Sequence, residues 1–278
     1  MRICFTSDFH GDLDQYERLG ALLRTEQPDL LILGGDMFAD GDDADPPGSQ
    51  AVAARDILTT RIDAWKHMVP GLTVACVMGN HDWLRTEAAV RGVEDTGRLR
   101  LLDPRRPWSC GGVHFLGFYL TPPTPHWLKD YERLDRADDP IPDFGGELRA
   151  TQDGEAAPVD AAGWFRGQPA LERVLGGIAP PPAPWVFVCH APPFDTKVDR
   201  LPEVGPIGSR AVRRFIETHR PRCALHGHVH ESPEATGAYA DDVGGVPCIN
   251  PGQSHETLYA VVFDTDRISE TLHHTVFA

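Results

Sequence analysis

Positive charge is scarce in this sequence of 278 residues. Lysine and arginine together number 26, against 41 aspartates and glutamates, and the formal net charge is -15 with histidine neutral. Such a surface repels duplex nucleic acid and anionic membranes unless a local basic patch or a bound cation reverses the field. We therefore expect neither duplex nucleic acid nor a membrane among the partners of this protein.

Long apolar runs and paired cysteines are also missing. No apolar stretch approaches the ~20 residues of a membrane-spanning helix, and the opening residues MRICFTSDFHGD lack the basic and apolar segments of a signal peptide. The six cysteines are widely scattered and form no CxxC pair. We expect them to be buried free thiols in a cytoplasmic protein.

Short apolar segments alternate with longer amphipathic ones along most of the chain. Strands are predicted at 3–6, 30–33, 72–78, 113–119, 185–189, 223–225, 246–249 and 259–264, with a β-rich segment at 268–276. Helices are predicted at 13–25, 50–68 and 209–219. This alternation followed by a β-rich end favours an α/β fold with mixed sheets, which we expect to form a single domain over residues 1–278.

Residues 121–160 differ from their surroundings, since they hold six prolines, many acidic residues and no apolar periodicity. Two interpretations remain open for this insertion. It is either a solvated surface segment or a loop that shapes or covers a pocket. A second acidic loop at 40–49 is expected to be solvated.

Polar side chains follow five of the predicted strands at their carboxyl ends. They are Asp8 and His10, then Asp36, then Asn80, His81 and Asp82, then His190, and finally His228 and His230. In parallel α/β sheets the ligand-binding crevice lies outside these strand ends. Each cluster alone is a weak signal, but the five together predict one site.

The donor types indicate what this site holds. Carboxylate and amide oxygens mixed with imidazoles suit Mn, Fe, Zn, Ni or Co, whereas Ca prefers oxygen alone. The set is too large for one tetrahedral ion and fits two ions that share a bridging carboxylate, for which Asp36, with glycines beside it, is the natural candidate. Two-metal sites stabilise the attacking and leaving oxygens of a phosphoryl displacement. Two divalent ions, two aspartates and a bridging hydroxide leave about one positive charge, which suits an anionic phosphoester.

Taken in order, these motifs resemble those of the calcineurin-like metallophosphoesterase superfamily. The matching motifs are Asp8-x-His10, Gly35-Asp36, Gly79-Asn80-His81-Asp82, His190 and Gly227-His228-x-His230. The resemblance implies a four-layer αββα sandwich with two mixed β-sheets and a dinuclear site at one edge. One metal would be bound by Asp8, His10, Asp36 and His230, and the other by Asp36, Asn80, His190 and His228. Mn or Fe is favoured.

The resemblance also implies roles for the two remaining motif residues. His81 would stabilise the attacked phosphoryl group or protonate the leaving oxygen, and Asp82 would orient it. Neighbours on an extended segment diverge, so His81 is expected to point away from the ligand Asn80. A histidine paired with an adjacent aspartate can act as a general acid near neutral pH. A metal ligand or a structural cap are the alternatives for His81.

The motifs depart from those of protein Ser/Thr phosphatases, which read Gly-Asp-x-Val-Asp-Arg-Gly and Arg-Gly-Asn-His-Glu. The arginines of those motifs are missing here, and the set is closer to small bacterial and archaeal phosphoesterases, including class III cyclic nucleotide phosphodiesterases. The hypothesis is hydrolysis of small-molecule phosphoesters by a metal-bridging hydroxide, with nucleotide-type or cyclic diesters preferred. The alternative is a phosphomonoesterase acting on a small molecule or a phosphoprotein. The intact ligand set disfavours a non-catalytic scaffold, and the acidic charge disfavours a nuclease acting on polymers.

Several further residues are expected to lie outside the site. His226 is predicted to pack behind it. The histidines expected to be on the surface or satisfied elsewhere are His67, His114, His126, His219, His273 and His274. The same is expected of His255, with approach to the site as the alternative because it closely follows Asn250-Pro251-Gly252. Lys197 and Arg200 are expected to be solvated, with contact to substrate phosphate as the alternative. Trp127, Tyr131 and Phe144 are expected to pack the insertion against the body, with stacking on a substrate ring as the alternative.

Overall fold

Two six-stranded mixed sheets dominate the computed structural model, which describes residues 1–42 and 44–277. The helices are α1 (Leu13–Glu26), α2 (Pro46–Met68), α3 (Leu84–Asp95), α4 (Ala161–Arg166), α5 (Leu171–Gly176), α6 (Arg210–His219), α7 (Ser232–Thr236) and α8 (Ile268–Thr271). The strands are β1 (Arg2–Thr6), β2 (Leu30–Leu33), β3 (Thr73–Cys76), β4 (Arg100–Leu101), β5 (Trp108–Cys110), β6 (Val113–Phe118), β7 (Leu148–Gln152), β8 (Glu155–Val159), β9 (Trp185–Cys189), β10 (Arg200–Leu201), β11 (Gly205–Pro206), β12 (Cys223–Leu225), β13 (Ala240–Val243), β14 (Val246–Ile249), β15 (Val261–Asp264) and β16 (His273–His274).

Both sheets have parallel centres and antiparallel edges. The first sheet has the order β16-β15-β1-β2-β3-β4, with β1 to β4 parallel. The second has the order β13-β14-β12-β9-β6-β5, with β14, β12, β9 and β6 parallel. The polar residues that follow the parallel strands within each sheet therefore emerge at one edge.

The alternation of side chains along the second sheet separates two layers of core. Phe115 and Val186 point into the core that this sheet shares with the first sheet. Leu116 and Phe187 point to the opposite face, where they pack with α5 and α6. The apolar side chains of α1 and α2 pack with the first sheet in the same continuous cluster of buried residues. The four-layer αββα sandwich is confirmed, while its organisation as a single domain over residues 1–278 stays a prediction.

Most predicted elements are present, and the differences are of three kinds. Helix α2 begins at Pro46, earlier than the predicted residue 50, because Asp45 caps it by accepting from the Gly48 amide and prolines are tolerated in a first helical turn. The elements that were not predicted are α3, α4, α5, α7, β4, β5, β7, β8, β10, β11 and β13. The segment 268–276, predicted to be β-rich, contains the short helix α8 and the two-residue strand β16.

The insertion at 121–160 is more ordered than a solvated segment. It contains the hairpin formed by β7 and β8, and its side chains Lys129 and Glu132 are completely buried. Tyr131 is also buried, Trp127 packs against Trp83, and a pair of stacked rings joins Phe144 to Phe165. The expected packing of its aromatic residues is therefore confirmed. In the loop at 40–49, residue 43 lies outside the described residues.

The six cysteines are free, and five of them are buried while Cys110 is half-buried. Among the described residues, no helix combines the length and the apolar character needed to cross a membrane.

Candidate metal centre

Strands from both sheets deliver the predicted ligands to one place. The seven residues are Asp8 and His10 after β1, Asp36 after β2, Asn80 after β3, His190 after β9, and His228 and His230 after β12. The first sheet contributes the acids and the amide, and the second contributes three of the imidazoles. The site is therefore built where the two sheets meet, which no single segment of the sequence encodes.

The first group consists of Asp8, His10 and His230. One ligand atom from each lies within 4.8 Å of the others. The Nε2 atoms of His10 and His230 are 3.1 Å apart, and Nε2 of His230 lies 3.3 Å from Oδ1 of Asp8. These are three of the four residues that the resemblance assigns to one ion.

The second group consists of Asp36, His190 and His228, whose ligand atoms also lie within 4.8 Å of one another. Nε2 of His190 is 3.0 Å from Oδ2 of Asp36, and Nδ1 of His228 is 2.8 Å from Oδ1 of Asn80. Asp36 belongs to a further group with His10, so its carboxylate lies between the two clusters. This is the position expected of a bridging ligand.

Four of these residues have left-handed backbone. The φ angles are 62° at Asp8, 46° at His10, 51° at Asp36 and 70° at His228. Such conformations cost free energy for residues with a side chain and persist where the surroundings fix them, often at functional sites. They turn each strand end so that the side chain reaches the common site.

Two glycines permit the close approach of these turns. A Cβ on Gly79 would overlap the Asp36 carboxylate, and one on Gly227 would overlap the side chains of Ser7 and Asp8. A larger residue at either position would push a predicted ligand aside. The glycines of the two motifs are thus explained by packing against the ligands themselves.

The electrostatics of the site fit bound cations. Asp8 and Asp36 are buried, and among the described residues their only ion-pair partners are histidines. Burial alone would raise the pKa of these carboxyls, but the imidazoles lower it, to about 2 for Asp8 and well below the usual range for Asp36. Two ionised carboxylates without a lysine or arginine partner are costly to bury. Divalent ions would neutralise them.

The imidazoles differ in charge. Burial lowers the pKa of His10 to about 4 and that of His228 to about 3, so both rings are neutral, which is the form that binds metal. At His190, burial works in the same direction, but the carboxylate of Asp36 outweighs it and raises the pKa to about 9. Without an ion, His190 is therefore held as the protonated partner of Asp36, and it would lose this proton on binding a metal. Mixed nitrogen and oxygen donors of this kind fit divalent transition metals.

His81 is held by a carboxylate that the sequence analysis did not identify. Its Nδ1 lies 3.0 Å from Oδ1 of Asp40, and the other carboxylate oxygen of Asp40 lies 3.3 Å from Nε2 of His126. The rings of His81 and His126 stack with centroids 3.7 Å apart. Burial would raise the pKa of Asp40, but its hydrogen bonds to His126 and His81 hold it well below the usual range. The same carboxylate, with that of Asp36, raises the pKa of His81 against the effect of burial.

Among the described residues, no hydrogen bond joins Asp82 to His81, which Asp82 was predicted to orient. The carboxylate of Asp82 points back into its own turn and accepts the Gly79 amide at 2.7 Å. Burial raises the pKa of Asp82 to about 8. Asp82 thus stabilises the turn that carries Asn80, while Asp40 makes the contact predicted for Asp82.

The expectation that His126 lies outside the site is wrong. Lys129 is buried beneath the loop that carries His126 and donates from Nζ to the backbone oxygens of Thr124, at 2.9 Å, and of His126. It also lies 2.6 Å from the buried carboxylate of Glu132, which accepts the Thr124 amide. These contacts fix the loop against the site. Asp40 follows Asp36 in the same turn and could have been suspected, whereas His126 has no local signal.

The residues expected behind or beside the site are mostly where they were predicted. His226 is buried, with Nδ1 2.9 Å from the Cys189 backbone oxygen. Lys197 and His255 are exposed. Arg200 binds Asp195 at 2.7 Å, so its guanidinium is already paired.

Asn250 supports the turn that carries His228 and His230. Its side-chain amide donates to the backbone oxygens of Val198, Gly227 and Val229 at 3.0, 3.2 and 3.0 Å. Because the amide is buried, each of these bonds constrains the turn more strongly than it would in water. Asn250 is therefore a positioning residue for the second sheet's imidazoles.

Comparison with known proteins gives a family and a fold. Residues 1–232 match the family model described as calcineurin-like phosphoesterase. No curated protein matches the chain significantly. One solved structure is 17% identical, covers 100% of this chain and 99% of its own, and has a TM-score of 0.62. The structure of the protein TT1561 from Thermus thermophilus is 17% identical, covers 98% of this chain and 97% of its own, and has a TM-score of 0.58. An archaeal phosphodiesterase is 10% identical, with coverage of 99% and 98% and a TM-score of 0.46.

Proposed function

The chain belongs to the calcineurin-like phosphoesterase family, whose members are metal-dependent hydrolases of phosphoesters, and from that premise we propose that it cleaves phosphodiesters in preference to monoesters. The observation that supports this preference is the cavity in front of the clusters. Among the described residues that line it, none is a lysine or an arginine. A dianionic monoester calls for more positive charge than a singly charged diester.

The family implies a pair of divalent ions, and we propose which residues bind them. Asp8, His10, Asp36 and His230 would hold one ion, and Asp36, Asn80, His190 and His228 the other. The distances within the two groups support this division. Mn or Fe is the favoured identity, with Zn, Ni and Co compatible with the same donors.

When bound, the ions supply positive charge and an activated water for attack at phosphorus. The chain itself supplies orientation and a proton. Asp40 holds Nδ1 of His81, and in the described part of the chain Nε2 of His81 has no hydrogen-bond partner. The ring lines the cavity, so His81 would donate to a phosphoryl oxygen or protonate the leaving oxygen.

The alternative is a phosphomonoesterase acting on a small molecule or a phosphoprotein, because family membership does not distinguish the two. We also propose a small-molecule phosphoester as substrate and a cytoplasmic location, which the buried free thiols support.

Turnover of a substrate panel tests the proposal. The panel is bis-p-nitrophenyl phosphate, p-nitrophenyl phosphate, 2′,3′-cyclic AMP and 3′,5′-cyclic AMP, with protein stripped of metal and reloaded with Mn²⁺. We expect no turnover without metal and a kcat/KM for the best diester at least about tenfold above that for the monoester. A higher value for the monoester would favour the alternative.

Asp36→Asn is the matched variant for this test. It should lower turnover by about 100-fold or more and reduce the bound metal, because the proposed bridge loses its charge. Asp14→Asn removes one carboxylate from an exposed position on α1 and should change neither quantity. Near-normal turnover in Asp36→Asn would rule out the proposed centre.

A further inference from the structure

A cavity of about 390 Å³ opens directly onto the candidate metal centre. Its floor is formed by Asp36, Asn80, His81, His228 and His230. The volume lies within the range of pockets that hold small organic ligands, roughly 300–1,000 Å³. A phosphoester bound at the centre would therefore extend its substituents into this cavity.

The walls of the cavity are apolar on two sides. One wall is the proline-rich start of the insertion, and the other is the hairpin of β10 and β11 with the residue that follows it. The apolar residues are Pro122, Pro123, Pro125, Leu201, Val204 and Ile207. Val204 lies at the tip of the hairpin with 70% of its surface exposed, so its side chain is open to contact with a bound ligand.

Both walls are held in place by buried polar contacts. The proline-rich wall is tied down by Lys129 and Glu132, as described above. The hairpin is held by the buried carboxylate of Asp199, which accepts the backbone amides of Asp195, Thr196 and Gly208 at 2.9 Å each. Two anchored loops make the cavity largely preformed, which reduces the entropic cost of binding.

The charge of the cavity restricts what else the substrate carries. The charged group on its rim outside the floor is Glu231, and the nearby guanidinium of Arg200 is engaged with Asp195. Among the described residues that line the cavity, no lysine or arginine is present to bind a second phosphate or a carboxylate. An apolar group is the substituent that the walls stabilise.

We propose that the substrate carries one phosphate with an apolar organic substituent, and that Leu201, Val204 and Ile207 together with the facing prolines form the subsite for that substituent. This inference rests on the proposed phosphoesterase function and narrows it. Polyphosphates and sugar phosphates with further anionic groups would be poor substrates.

Binding of alkylphosphonates to the Mn²⁺-loaded protein tests the subsite without relying on turnover. The probes are the O-methyl monoesters of methyl-, propyl-, butyl- and hexylphosphonate and of phosphonoacetate, measured by calorimetry. Their phosphorus group carries the single charge of a diester, and they are named below by the parent phosphonate. Each methylene that enters the subsite should lower Kd by about fourfold until the cavity is filled. Phosphonoacetate should bind more weakly than propylphosphonate, because its second anion meets no cation.

Two variants that each add one negative charge test whether the gain in affinity with chain length arises in this cavity. Val204→Asp should reduce the ratio of the methylphosphonate Kd to the hexylphosphonate Kd by at least about fivefold. Val52→Asp, at an exposed position on α2 outside the cavity, should keep the wild-type ratio. Both substituted positions are exposed, so folding should be preserved in each.

The outcomes separate the two proposals. If methylphosphonate binds but longer chains bind no better, or if Val204→Asp leaves the ratio unchanged, the apolar subsite is overturned while the metal centre stands. If methylphosphonate itself does not bind, the proposed function fails and the subsite inference fails with it.

Discussion

At the scale of single residues, the chemistry of the candidate site depends on partners that are distant in sequence. His81 was predicted from its motif, but the carboxylate that holds its Nδ1 belongs to Asp40, and a second imidazole from His126 shares that carboxylate. An aspartate adjacent in sequence, Asp82, was the local choice and is instead hydrogen-bonded to the Gly79 amide. Residues 80–82 form a turn rather than an extended segment, and the Asp82 carboxylate folds back onto Gly79, which is why proximity in sequence misled here.

The pair Asp40→Asn and Asp82→Asn tests this reassignment. Asp40→Asn removes the charge that orients His81, so kcat for a phosphodiester should fall about 10- to 100-fold, within the usual contribution of general acid–base catalysis. Bound metal and KM should change little, since Asp40 lies outside both proposed ligand groups. Metal content and steady-state kinetics of the metal-loaded variants provide the measurement.

Asp82→Asn is the control, because it removes a buried carboxylate next to His81 in the sequence that makes no hydrogen bond to the His81 ring. An asparagine oxygen can still accept the Gly79 amide, so kcat should stay within about threefold of wild type. If Asp82→Asn lowers kcat as much as Asp40→Asn at full metal occupancy, the assignment from the sequence is right and the reassignment is wrong.

At the scale of elements, strands were easier to predict than the loops that shape the site. The strands β2, β9 and β12 were predicted with their observed bounds because each is a short, fully buried apolar run between turn residues. Helix α3 and the hairpin β7–β8 were missed, since their apolar residues are few and their order comes from contacts with other segments. The ligands themselves could be predicted because each follows a strand directly.

The insertion shows what local patterns omit. Its proline-rich and acidic composition is typical of a solvated segment, yet Lys129 and Glu132 form a buried ion pair under the loop that carries His126. A buried ion pair adds little net stability compared with apolar replacements, but the loss of one partner leaves an uncompensated charge. We infer that this ion pair holds the proline-rich wall of the cavity in position.

Lys129→Met tests the role of the pair. It should lower the free energy of unfolding by about 3–5 kcal/mol, because Glu132 would be left buried without its cation. Lys129→Met combined with Glu132→Gln should recover about half of that loss, since the glutamine oxygen can still accept the Thr124 amide. Urea unfolding monitored by fluorescence provides the free energies.

Arg149→Met is the matched control, because Arg149 pairs with Glu147 on the surface, where ion pairs contribute under about 1 kcal/mol. If the loss in Lys129→Met is no larger than in Arg149→Met, the buried pair does not anchor the loop. If the double variant is less stable than the single one, uncompensated charge is not the cause of the loss.

At the scale of the whole molecule, the site lies where the two sheets meet, and the two sheets contribute different kinds of metal ligand. The first sheet brings Asp8, Asp36 and Asn80, and the second brings His190 and the turn with His228 and His230. The acidic carboxylates remain ionised in a buried position, and four ligand positions have left-handed backbone. Both features cost stability in the metal-free protein. Bound ions should therefore stabilise the folded protein where the two sheets meet, in addition to taking part in catalysis.

Thermal unfolding with and without metal tests this coupling. An ion that binds only the folded protein and is present at 100 times its Kd adds about 2.7 kcal/mol. For a chain of this size that corresponds to a rise in Tm of about 5 °C for each ion. As Mn²⁺ is added, Tm should rise in two separate steps, one for each ion bound. Ca²⁺ at the same concentration should raise Tm much less, because calcium binds imidazole poorly. Asp36→Asn should abolish most of the rise in Tm that Mn²⁺ causes.

An equal rise in Tm with Ca²⁺ would mean that the histidines do not bind the ions. The proposed division of the ligands between the two sheets would then be wrong.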